Sequence, residues 1–293
     1  MNAPVKIDEW ISENSESFKP PICNKLMYKK DLSVMFVGGP NRRTDFHVDE
    51  SSEFFFQLRG SMELPIVEKG IRRVVKIQQG EVFLLPSRIP HSPQRPETDS
   101  IGLVVERSRN TEIEFDCMRW YEDFLKCDAV QFEKFFQCND LGKDLVPVAS
   151  EYRLFMEEGS QGFERSKTPL IVDDVDSVVP APFNLKQWCR LREAAFQQGV
   201  TLSLFGDTHP DQEFSIQVSS EEGLVVVSDK CEVFLHQLAG QVDLSCQTGG
   251  VMNLPESSCF VVPRSTEVTL TNRTSDSLTL ILYCDSLGNK AIT

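Results

Sequence analysis

EFFFQLRG (residues 53–60) and GEVFLLPSRIPHSPQRPE (residues 80–97) decide how this chain reads. Each opens on a short run of aromatic and aliphatic residues and then breaks at a Gly or Pro. The same pattern surrounds them, in SVMFVGGPN (33–41), RRVVKIQQ (72–79) and IGLVVER (101–107). Runs of about five to eight residues punctuated by Gly, Pro or Asn predict an antiparallel sandwich or closed barrel. Over residues 112–158 the character changes. Trp120 and Phe124, then Phe132, Phe135 and Phe136, recur at roughly helical spacing, which predicts short helices packed on the β unit. Residues 158–184 are rich in Gly, Ser, Asp and Pro, the composition of a linker.

Strand-like runs then return, and they repeat the first set. EFFFQLRG aligns without gaps onto VFLHQLAG (233–240), and VFLLP (82–86) onto CFVVP (259–263). Duplication of a β unit is the economical explanation. The expected organisation is a first domain over residues 1–160, a linker over 161–182 and a second domain over 183–293. In this alignment Glu53 falls opposite Val233 and His91 opposite Val268; continuing the offset upstream puts His47 opposite Val227. All three counterparts are aliphatic, so the second unit is expected to bind no metal at these positions. His236 is expected to be a packing or surface residue. The second unit is expected to serve as a built-in partner for the first, which makes a monomer the expected state.

Composition narrows the class. The 293 residues suit one large domain or two of about 150. With 40% hydrophobic and 25% charged residues, a packed core is expected rather than disorder. Thirty Lys and Arg against 44 Asp and Glu leave a net charge of −14, which argues against a nucleic-acid partner. No apolar run approaches the ~20 residues that span a bilayer, so no membrane partner is expected. The N-terminus is polar and acidic, without the basic-then-apolar order of a secretion signal. Nine cysteines, an odd number with no CxxC pair, speak against structural zinc and a disulfide framework, and suit reduced thiols in a cytosol.

Only four histidines are present, and two lie at the turns of the first unit. His47 and Glu53 are six apart, and an even separation within one strand would keep them on one face. With His91 they form a set of two imidazoles and one carboxylate, the facial triad of non-haem Fe(II) chemistry. Spacing alone leaves a second reading open, in which the histidines are surface or core residues and Glu53 is an exposed acid.

Two longer patterns bear on that choice. His47-x-Asp49-x3-Glu53-x6-Gly60 resembles the first cupin motif, with Asp49 standing where a second histidine would be. Gly80-x5-Pro86-x4-His91 resembles the second, with Arg88 in place of a glycine and Arg95 in place of the closing asparagine. More specifically, residues 34–47, 53–60, 80–97 and 102–109 resemble the 3-hydroxyanthranilate 3,4-dioxygenase family in its animal-type two-cupin form. That resemblance implies a mainly β bicupin, two jelly-roll β-barrels with a few short helices. It implies one Fe(II) per chain on His47, Glu53 and His91. Arg43 matches the family's arginine on the dioxygen side, and Arg95 and Glu106 match its substrate-contacting pair.

The residue chemistry is compatible with each role. An arginine fork suits a ring carboxylate through two parallel charge-assisted hydrogen bonds. A buried glutamate beside the ring hydroxyl or amine could take a proton. Arg42, Arg43, Arg88 and Arg95 could together form a positive island in an acidic protein. Read without the motif, Arg95 could instead pair at the surface with Glu97 or Asp99, and Glu106 could be a strand-end charge. The implied reaction takes 3-hydroxyanthranilate and O2 to 2-amino-3-carboxymuconate semialdehyde, which closes to quinolinate on a route from tryptophan to NAD. Two other classes stay open: a different cupin enzyme, such as a dioxygenase for another aromatic or thiol substrate or a sugar isomerase, and a non-enzymatic bicupin with a structural metal.

Overall fold

A computed structural model of the protein describes residues 3–20, 23–160, 162–228, 231–247 and 250–284. The chain forms two compact units: Ser17–Met27 with Ser33–Asn184, here the first unit, and Met1–Glu16 and Tyr28–Leu32 with Leu185–Thr293, the second. This differs from the expected division at the N-terminus. The strand Val5–Lys6 pairs antiparallel with Ser258–Val262, Val5 opposite Cys259, and so extends the second unit's sheet. Residue 161 of the expected linker and residues 285–293 of the expected second domain lie outside the described residues.

In the first unit a six-stranded sheet runs in the order Phe183–Asn184, Glu81–Leu85, Glu53–Arg59, Ile101–Arg107, Leu32–Gly38 and Asn24–Lys29. A second layer comes in two pieces. One is the set Val130–Phe136, Asp116–Tyr121 and Phe46–Val48; the other is the hairpin Met62–Glu68 with Ile71–Ile77. His91 joins the pieces, bridging His47 on one side and Ile66 on the other. Phe55, Phe83 and Val104 from the first layer pack with Leu64, Ile66 and Val75 from the second in one core. The hairpin turns on Lys69 and Gly70, whose φ values of 52° and 76° are the two left-handed residues that a tight strand reversal demands.

Residues 112–158 are not a series of short helices. Asp116–Tyr121 and Val130–Phe136 are antiparallel strands with Trp120 opposite Phe132, and the one helix there, Leu141–Glu157, has 17 residues. Of the aromatics that mimic a helical period, Trp120 sits on the first strand, Phe132, Phe135 and Phe136 on the second, and Phe124 in the turn between them. The helix does pack on the β unit, its Tyr152 ring stacked on Trp120 at 4.2 Å. The linker-like stretch has no regular structure among its described residues before Phe183–Asn184, yet it is held down. Ile171 and Val179 are buried, and Asp173 accepts from Arg119 at 2.6 and 3.1 Å.

The second unit repeats the architecture. Its sheets run Val5–Lys6, Ser258–Val262, Val233–Ala239, Leu278–Cys284, Phe214–Ser219, Thr201–Ser203 and Leu224–Ser228, Thr266–Thr271, Gln241–Cys246, Gly250–Pro255. The duplication extends to detail. Glu53–Arg59 and Val233–Ala239 both bulge, between Gln57 and Arg59 and between Gln237 and Ala239. In each bulge the glutamine Nε2 donates back to the strand, to Arg59 O or Ala239 O at 2.7 Å. Each also donates to a serine, Ser100 at 2.9 Å or Ser277 at 2.8 Å. The alignment needs one correction. His91 pairs with His47, whereas Val268 pairs with Val226, so the counterpart of His47 is Val226 and not Val227. A one-residue slip turns a side chain to the other face, and Val226 is fully buried while Val227 is not.

Candidate metal centre and substrate pocket

Glu53 opens its strand at the point where Leu85 flanks it on one side and Glu106 on the other. Glu106 therefore reaches the same inward face as Glu53, one strand over. His47 does not share a strand with Glu53. It lies on Phe46–Val48 in the opposite layer, so the even separation in sequence does not explain their meeting; closure of the two layers does. His91 reaches the site from a loop, fixed by mutual backbone hydrogen bonds with His47 at 2.8 and 2.9 Å.

The three candidate ligands converge. One ligand atom from each of His47, Glu53 and His91 lies within 4.8 Å of the others, all buried. His91 Nε2 is 3.0 Å from Glu53 Oε1, and His47 Nδ1 is 4.0 Å from it. The far nitrogens are engaged: His91 Nδ1 with the Ile89 carbonyl at 2.9 Å, and His47 Nε2 with Asp116 Oδ2 at 2.7 Å. Such outer contacts orient imidazoles for a metal. Burial pushes the His47 ring toward its neutral form, despite Asp116. At His91 burial also opposes charge, but Glu53 overrides it and lifts the ring to about 9, while Glu53 itself falls to about 2. A buried pair that holds a proton this tightly is a place where a metal cation would replace it. The donor set, two imidazoles and one carboxylate with no thiolate, fits a first-row divalent ion such as iron.

Beside the triad is a cavity, open to solvent, whose walls include Met35, Phe55, Val104 and Leu145 and whose polar lining includes Arg43, Arg95 and Glu106. Arg95 is 1% exposed, so it is not a surface partner of Glu97, which binds Ser61 instead. Its Nη2 contacts Met62 Sδ at 3.3 Å, and its Nε has no hydrogen-bond partner. Burial lowers its pKa from the ordinary 12.5 to about 10, with Glu53 only partly opposing. Gly102 leaves room for it, since a Cβ there would stand 2.8 Å from Arg95 Nη2. Burial, reinforced by Glu53, raises Glu106 to about 7 against the pull of Arg109. Arg43 lines the cavity with its guanidinium held by Asp45.

One expectation is corrected here. Arg42 and Arg88 are exposed and do not line the cavity, so the positive island shrinks to Arg43 and Arg95. Arg88 sits at φ 60°, the left-handed conformation for which the cupin motif uses glycine. Sequence reading also missed Arg109 and Asp116. Arg109 donates to Asp49, Glu106 and Asp116 at 2.7, 2.8 and 2.9 Å. Its place three residues after Glu106 was the available signal. Asp116 was hidden in a stretch whose aromatics pointed to helices. In the second unit the corresponding interior is apolar: Val226, Val233, Val268 and Tyr283 belong to one buried core.

Fold and site together define a cupin whose first barrel holds a buried His/Glu cluster able to take a metal ion. A solved cupin 2 conserved barrel domain protein from Leptotrichia buccalis shares the fold, with a TM-score of 0.51 over 97% of this chain and 98% of that one at 8% identity. The family model for 3-hydroxyanthranilic acid dioxygenase matches residues 1–153. The 3-hydroxyanthranilate 3,4-dioxygenases of Rattus norvegicus and Homo sapiens are each 39% identical to it, covering 89% of this chain and 90% of theirs. The chain belongs to the 3-hydroxyanthranilate 3,4-dioxygenase family.

Proposed function

We propose that the protein opens the ring of 3-hydroxyanthranilate with O2 to give 2-amino-3-carboxymuconate semialdehyde, using one Fe(II) held by His47, Glu53 and His91. The observation that carries this is a buried arginine with no carboxylate partner among the described residues, Arg95, in the same cavity as the triad. When bound, the iron would supply the electronic coupling between an electron-rich ring and dioxygen that carbon chemistry alone lacks. The protein's residues do the rest. Arg95 grips the ring carboxylate, replacing its missing counter-charge with two charge-assisted hydrogen bonds. Glu106, lifted to about 7, takes the proton that the ring hydroxyl gives up on binding. Arg43, with its charge balanced by Asp45, flanks the dioxygen side. The apolar walls Met35, Phe55 and Val104 pack against the ring, which displaces water from the reacting atoms as it fills the cavity.

The test is oxygen uptake by protein reconstituted anaerobically with Fe(II), then given 3-hydroxyanthranilate and air-saturated buffer. One O2 consumed per ring opened is the expected result. Uptake only with catechols or other aminophenols would point to a different substrate, and none with any of them to a structural metal. A monomer is expected by light scattering.

A further inference from the structure

Four buried carboxylates crowd the first unit's site: Asp49, Glu53, Glu106 and Asp116. Away from water, like charges this close repel strongly. One guanidinium answers three of them. Arg109 donates from Nη2 to Asp49 Oδ2 at 2.7 Å, from Nη1 to Glu106 Oε2 at 2.8 Å and from Nε to Asp116 Oδ1 at 2.9 Å. Its side chain is 7% exposed. Glu53, the fourth acid, faces the two histidines instead.

The three partners of Arg109 have different opportunities. Asp116 already holds His47 through Nε2. Glu106 lines the cavity. Asp49 occupies the place of a second histidine in the first cupin motif, and its ligand atom lies within 4.8 Å of those of Glu53 and Glu106. It is near enough to compete for an ion, yet its carboxylate is turned onto Arg109. A planar fork with donors on three nitrogens reaches acids spread around its edge and fixes each one's direction; a lysine ammonium gathers its three donors on one atom at the end of a flexible stem.

We propose that Arg109 is a positioning residue that divides the work of the buried acids: it withholds Asp49 from the metal ion, leaving Glu53 the one carboxylate ligand, and aims Glu106 at the bound ring. This rests on reading the site as the iron centre of a dioxygenase. Coordination positions that Asp49 would fill are thereby kept for the ring and dioxygen. The same contact with Asp116 steadies the orientation of His47 from behind.

The test uses the full-length protein loaded with Co(II) under argon, because the visible d–d spectrum of Co(II) changes when a carboxylate replaces a water in its ligand set. D49N should leave the spectrum unchanged and the Co(II) Kd within about threefold of wild type, since losing a true ligand would cost far more. R109M should change the visible spectrum as Asp49 moves onto the ion, and kcat of the Fe(II)-loaded protein should fall about 10–100-fold. The double variant D49N/R109M should regain the wild-type spectrum while its kcat stays low, because Glu106 is still unheld. R109K is the arm that decides if R109M does not fold, and its kcat should fall about tenfold. A changed spectrum in D49N, a wild-type spectrum in folded R109M, or wild-type kcat in R109K would overturn the proposal. Failure of the underlying reading looks different: wild-type protein that binds no Co(II), or E53Q protein that binds it as well as wild type.

Discussion

Arg95→Met separates what Arg95 does for the substrate from what it does to the fold. Met keeps an unbranched apolar stem but removes the fork, and with it the contact of Nη2 with Met62 Sδ. Two charge-assisted hydrogen bonds to a carboxylate, net of the water they replace, contribute about 3–4 kcal/mol, so kcat/KM for 3-hydroxyanthranilate should fall roughly 10²–10³-fold. The fold should respond in the opposite sense. Holding this cation in place depresses its pKa from 12.5 to about 10, a cost of up to about 3 kcal/mol that the ligand-free protein bears and the variant does not. The variant should therefore melt several degrees higher while working far worse, a trade between stability and activity. The assay compares 3-hydroxyanthranilate with 2-aminophenol, the same ring without its carboxylate. Wild type should strongly prefer the acid, and Arg95→Met should lose that preference while turning over 2-aminophenol at an almost unchanged rate. Equal losses on both substrates would refute the assignment of Arg95 to the carboxylate.

Other expectations follow from the same geometry. His91→Ala should abolish iron binding and activity while circular dichroism stays native; stoichiometric iron in that variant would remove His91 from the ligand set. Asp116→Asn should weaken metal affinity about 10–100-fold by loosening the His47 ring, as read by equilibrium competition with a chelator. Val226→Ala or Val268→Ala should cost about 1–3 kcal/mol in denaturant unfolding with iron content unchanged, because both lie in the apolar core of the second unit. The pH dependence has a definite sign. Glu106 must be ionised to take a proton, and burial has raised it to about 7, so kcat/KM should decline as pH falls through an apparent pKa at or below about 7. A bound cation stabilises the carboxylate and can only move that limb downward. Glu106→Gln should erase the limb; an unchanged acid limb in that variant would assign it to another group.

How far the letters went can be followed residue by residue. Short apolar runs broken by Gly, Pro or Asn marked many strands of both units, because a strand buried on both faces is a near-continuous apolar run and the turns between strands need residues with special backbone freedom. The gapless match of residues 53–60 to 233–240 revealed the duplication, since both bulges need the same glutamine and the same glycine turn. Local patterns failed where two strands imitated a helix: Trp120, Phe132 and their neighbours carry aromatic spacing without saying which partner each will meet. They failed again at Val227, because a register one residue off is invisible until the strands pair.

The candidate ligands, His47, Glu53 and His91, and the pocket residues Arg43, Arg95 and Glu106 stood out as residue types at motif spacing. Their convergence is a property of the closed barrel, in which opposite layers and a loop bring side chains 44 residues apart, such as His47 and His91, into contact. Charge counts could not tell Arg95, buried beside the cavity, from Arg42 and Arg88, exposed outside it. Nor could they show that Arg109 gathers three acids, because hydrogen-bond partners are chosen by distance in space. Chemistry of single residues is local and legible in order; burial, pairing and electrostatic balance belong to the packed chain and arise only when it folds.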